Sequence, residues 1–165
     1  MQAEGTLQLV AEIAVAFAGF TSIIAVFGNR GGEGWSEREA VYLHMLVEYS
    51  IIVLLSALFP LVLWNGGLSE GAVWRLACGV QAVQISVYYL VRYRTLREDR
   101  SHIGTAWVWR SYLAIDGTFV MLLAGNALFV PEADDTLFVA HLFWLVIGMA
   151  LTFAGALTPI WKREP

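Results

Sequence analysis

The chain has 165 residues, of which 58% are hydrophobic and 15% charged, with a net charge of −4 and a mean hydropathy of +0.64. Soluble domains average about a quarter charged residues, and a small one buries only about two-thirds of its chain surface. So much apolar side chain excludes a water-soluble fold and leaves an all-α polytopic membrane helical bundle, read here as a single transmembrane domain over 1–165. The single Cys78 excludes a disulfide framework.

A helix needs about 20 apolar residues to cross the hydrocarbon. The first such segment covers about 6–28. The sequence MQAEGT precedes it, with no Lys or Arg before Arg30. A signal peptide has a basic region ahead of its apolar core, so this segment is expected to stay in the mature chain. Glu12 shares one helical face here with Val15, Gly19 and Ser22. After the turn-forming NRGGEGWSERE, the second segment covers about 40–64 and places His44 and Glu48 one turn apart.

NGGLSEG leads into the third segment, about 72–93. Gln81, Gln84, Tyr88 and Arg92 fall on one stripe of it, and Arg75 lies off that stripe. The run YYLVRYRTLREDR follows. Its Arg94, Arg97 and Arg100 have the spacing of a voltage sensor, but gating charges lie within the membrane field. These continue into a loop with Glu98 and Asp99, so with Arg92 they are expected to contact anionic headgroups. The fourth segment, about 109–130, carries Arg110 and Asp116 near its start. These charges make it the weakest of the five spans, and a four-span alternative lays it partly in the interface. After PEADD, the fifth covers about 136–161. Its His141, Trp144, Gly148, Thr152 and Gly155 share a face whose small residues suit close helix packing, as Gly19 does on the first helix.

Five spans put nine of the ten basic residues, including Lys162 and Arg163, on one side of the bilayer, and leave Arg75 on the other. Cytoplasmic loops carry the Lys/Arg excess, so the N-terminus is expected outside and the C-terminus inside, in a plasma (inner) membrane. Trp35, Trp107, Trp109 and Trp161 then fall at the inner interface, and Trp64 and Trp74 at the outer one.

An ionisable side chain in hydrocarbon costs roughly 2.5–3.5 kcal/mol on insertion scales. Three polar layers are expected to offset it. Glu12, Arg75 and His141 form the outer layer, Gln81 and Gln84 the middle, and His44, Glu48 and Asp116 the inner. Each group also has a structural reading, as an ion pair or as glue between helices.

Three histidines in separate parts of the chain build no metal or haem site, and Cys78 and the serines lack a neighbouring base for nucleophilic chemistry. No cofactor is expected, and nucleic acid is excluded as a partner. The lipid bilayer, a second copy or another membrane protein are the expected partners. Three functions remain. The first is an oligomeric channel or transporter subunit moving protons or small cations past buried carboxylates. The second is a non-catalytic subunit or assembly protein with structural buried charges. The third is a lipid-binding protein or intramembrane enzyme using the acidic residues and the arginine-rich loop.

Overall fold

The computed structural model describes residues 2–28, 37–98, 106–130 and 133–161. Among them are five helices and no strand: α1 (Gln2–Gly28), α2 (Glu37–Asn65), α3 (Glu70–Glu98), α4 (Ala106–Phe129) and α5 (Thr136–Trp161). The ends of α1, α2 and α3 run past the apolar segments because Glu4, Glu37 and Glu98 continue a helix as readily in water as the leucines do in oil.

Four helices are long and apolar enough to cross a membrane, over Ala3–Val26, Ala40–Asn65, Arg110–Phe129 and Thr136–Leu157. The fourth segment is therefore not the weak one, and α3 is the helix outside this set. Arg75, Gln81 and Gln84 lower its average. Yet Gln81 is buried and Gln84 half-buried, while Leu76, Val80, Val83, Val87 and Leu90 form an exposed stripe. Polar residues inside and apolar residues outside is the pattern of a helix that meets lipid.

The chain divides into two compact units, 1–58 with 142–165 and 59–141. Helix α2 passes from the first to the second at Leu58 and Phe59, next to Pro60, which lacks the N–H that would bond the Ser56 carbonyl. In unit 1, Ala3, Leu7, Val10, Ala14 and Thr21 line the buried face of α1. The Phe17 ring meets Phe153 edge-on at 5.5 Å, joining α1 to α5. Ser50 lies 3.6 Å from the Met149 sulfur, joining α2 to α5.

The small-residue face of α5 is occupied within this unit. A Cβ on Gly148 would lie 3.9 Å from the Tyr49 ring, and one on Gly155 only 3.0 Å from the Tyr42 ring. Thr152 bonds the Gly148 carbonyl of its own helix at 2.8 Å. These residues seat two tyrosines of α2, whereas a Cβ on Gly19 of α1 would meet nothing within 4 Å.

In unit 2, α2 ends in a Schellman turn. The Leu68 amide reaches the Leu63 carbonyl (3.4 Å) and the Gly67 amide that of Trp64 (2.9 Å), with Gly67 at φ 80°. Just beyond, Trp74 packs between Trp64 (5.1 Å) and Phe138 (5.8 Å) and is fully buried. A Cβ on Gly79 would rest 3.7 Å from that of Ala127, which brings α3 and α4 close together.

Candidate functional site: a buried polar column

Two side-chain pairs set α3 against α4 in unit 2. The Asn126 amide donates to the Cys78 sulfur at 3.5 Å, and the Tyr89 hydroxyl donates to Asp116 Oδ2. Residue numbers rise along one helix as they fall along the other, so the two are antiparallel. Helix α5 joins through Phe138 on Trp74 and through His141, whose ring lies 5.0 Å from that of Phe119.

This register stacks the buried polar residues along the unit. Asp116 and Asn126 are about 15 Å apart along α4. Between those levels, Phe119, whose ring meets His141, stands about 4.5 Å along the α4 axis from Asp116, and Gln81 stands about 4.5 Å along the α3 axis from Cys78. Asp116, Asn126, Gln81 and His141 are each buried, His141 completely at 0% exposure. Ile85 and Leu123, also buried, fill the same interior.

The column is unevenly satisfied. Its two ends are paired, whereas among the described residues both ring nitrogens of His141 and Nε2 of Gln81 have no hydrogen-bond partner. A buried polar group left unpaired costs roughly 1–3 kcal/mol. An imidazole both donates and accepts, and so does a carboxamide.

The other sequence candidates lie elsewhere. Arg75 is exposed, and its Nε donates to the Ala127 carbonyl at 3.3 Å, where a cation suits the C-terminal end of α4. Gln84 and Arg92 are half-buried and partnered. His44 Nε2 and Glu48 Oε1 lie 3.0 Å apart on α2 in unit 1, with the histidine side chain 65% exposed and the glutamate 29%. Glu12, also in unit 1, is exposed. The outer layer expected from Glu12, Arg75 and His141 thus has only His141 in a buried position. Arg100 lies outside the described residues, as do the side chains of Arg94 and Arg97.

Sequence reasoning missed Tyr89 and Asn126. The signal for Asn126 was its place five residues after Met121 in an otherwise apolar run, where an amide has to find a partner. Among the described residues no group of three or more His, Cys, Asp or Glu side chains converges as a metal ion would require.

Fold and site together define the class: a multi-pass helical membrane protein with a polar interior in one of its two units. No protein-family model, curated protein or solved structure matches the chain.

Proposed function

We propose that the protein is a membrane transport subunit that moves protons or small cations along the buried column of unit 2. The observation that carries this reading is His141, fully buried against the Phe119 ring with both ring nitrogens unpartnered among the described residues. Ionisable groups inside a membrane domain are expensive and concentrate on transport paths. In the mechanism, Asp116 is the carboxylate at one end, with Tyr89 holding its orientation. His141 takes a proton on one ring nitrogen and releases one from the other. Gln81 offers its amide to the next hydrogen-bonded carrier toward Cys78 and Asn126. Ile85 and Leu123 stand in the same interior as the apolar residues that close it, and their rotation admits the moving species.

Five crossings fit this reading. The exposed stripe of α3 faces lipid, which brings its buried glutamine to the bundle interior, and the basic residues then gather on the cytoplasmic side. Glu48, paired with His44 in unit 1, is not part of this column.

The test is proton flux into liposomes containing the purified protein, driven by a potassium diffusion potential and read by an internal pH dye. His141→Phe and Asp116→Asn should both lower flux to that of protein-free vesicles, with helical content unchanged by circular dichroism. Wild-type vesicles no leakier than empty ones, or flux unaltered in both variants, would remove the proposal. A second reading, a subunit whose polar groups only lock helices together, draws on the Tyr89–Asp116 and Asn126–Cys78 pairs, which satisfy each other. It expects no flux, and a loss of stability in the variants.

A further inference from the structure

We infer that the outward face of α1 is the surface through which two copies of this chain associate in the membrane. Helix α1 carries two seams. The buried one runs Ala3, Leu7, Val10, Ala14 and Thr21 and is occupied within unit 1. On nearly the opposite side, Gly5, Gln8, Glu12, Val15, Gly19 and Ser22 follow one another at steps of three, four, three, four and three, and every one of them is exposed. Such alternation is the seam of a helix that packs against another helix in a left-handed crossing.

The chemistry of this seam is wrong for lipid. Glu12 lies nine residues inside the apolar stretch Ala3–Val26, about 13.5 Å from its start. A carboxylate on that surface costs roughly 2.5–3.5 kcal/mol when lipid is its neighbour. Neither Glu12 nor Gln8 makes a hydrogen bond or ion pair among the described residues. The glycines point the same way. A Cβ at Gly5 or Gly19 would meet nothing within 4 Å, so no crowding inside the chain explains their lack of a side chain. Small residues on a lipid-facing seam let a second backbone approach closely.

A second copy is the occupant that the seam fits. Two copies inserted with the same topology bring their α1 helices together in parallel about a two-fold axis. Each seam residue then faces its own counterpart and the counterparts one step away. The Gln8 carboxamide both donates and accepts, so it pairs with Gln8 of the other copy and directs an N–H toward the other copy's Glu12 carboxyl. The Ser22 hydroxyl asks for nothing, since it bonds the Ala18 carbonyl at 3.1 Å. The seam holds no cation, and a different protein would have to bring one into the hydrocarbon to answer Glu12. An amide-and-carboxyl face is answered most cheaply by another like it.

The experiment is disulfide mapping in native membranes, in a Cys78→Ser background, with single cysteines at Val15 and Ser22 on the seam and at Leu9 and Phe20 beside it. Oxidation should give covalent dimers from the first two positions and not from the second two. In parallel, energy transfer between labelled copies in liposomes should report dimers that Gly19→Leu and Glu12→Leu weaken by about tenfold or more in affinity. Both substitutions replace residues with open surroundings, and circular dichroism checks that the helices persist. Monomers throughout, equal cross-linking on and off the seam, or dimers unaffected by both substitutions would overturn the inference. Proton flux does not enter these readouts, so the transport proposal and this one fail separately.

Discussion

The Tyr89 hydroxyl donates a hydrogen bond to Asp116 Oδ2, tying α3 to α4 at one end of the buried column in unit 2. Asp116 is 1% exposed, so its carboxyl has no access to bulk water in exchange for a lost partner. Tyr89→Phe should therefore destabilise the protein by about 1–3 kcal/mol, the cost of taking one hydrogen-bond partner from a buried polar group. Combining it with Asp116→Leu should recover part of that loss, because both partners are then apolar. Denaturation in detergent, run as a double-mutant cycle, measures the coupling, for which pairs in membranes reach about 0.6–1.7 kcal/mol. Strictly additive effects would show that the bond contributes nothing.

Gly67 closes α2 in the left-handed region, at φ 80°. An alanine there meets no neighbouring atom, so its penalty comes from backbone conformation alone. That penalty is about 1–2 kcal/mol for a residue with a Cβ. Gly67→Ala should lower stability by this amount, and Gly67→Asn by less, since asparagine tolerates the conformation. Equal melting curves for all three proteins would contradict the turn geometry.

The two glycines of α5 respond differently to the same methyl group. In Gly155→Ala the new Cβ would stand 3.0 Å from the Tyr42 ring, tighter than ordinary contact, and the ring has to move. In Gly148→Ala the nearest atom, on Tyr49, is 3.9 Å away. Thermal unfolding should show Gly155→Ala destabilised by about 1–3 kcal/mol through overpacking. Gly148→Ala should stay within about 0.5 kcal/mol of the parent or gain slightly from reduced backbone freedom. The reverse order would mean that α5 seats on α2 in another way.

Much of the helical layout could be read from the residues. NGGLSEG and PEADD ended and began helices because glycine and acidic caps do so by backbone geometry and dipole, in oil as in water. Which polar residues share an interior was harder to read. In water, a polar residue in an amphipathic pattern marks the outside. In a bilayer the apolar residues cover both faces of α1, and Glu12 carries no label saying whether it points into the unit or away from it. On α3 the stripe of Gln81 and Gln84 did mark a buried face, since it is set against exposed valines and leucines. Tyr89 escaped notice because tyrosine beside Tyr88 at a helix end reads equally well as an interfacial belt. Its role depends on the approach of Asp116 from 27 residues away, which no local pattern encodes.

The exposed stripe of α3 leads to a prediction about topology. Leu76, Val80, Val83, Val87 and Leu90 stand between 43% and 74% exposed on a helix of 29 residues, about 43 Å long. In water such a stripe would be an aggregation hazard, and in a bilayer it is the surface lipid requires. If α3 crosses with the other four helices, the termini lie on opposite sides, with Lys162 and Arg163 on the basic, cytoplasmic side. Reporters that fold or become modified on only one side of the membrane, fused in turn to each end, should therefore give opposite signals. Val83→Arg, in the middle of the stripe, should cost roughly 2.5–3.5 kcal/mol of insertion and reduce the inserted fraction in a translocation assay. Gln81→Leu, changing the buried side of the same turn, should leave insertion intact. Matching reporter signals would instead keep α3 out of the bilayer and place its glutamines in an aqueous setting, where an unpaired amide is no burden and the column has no transport role to play.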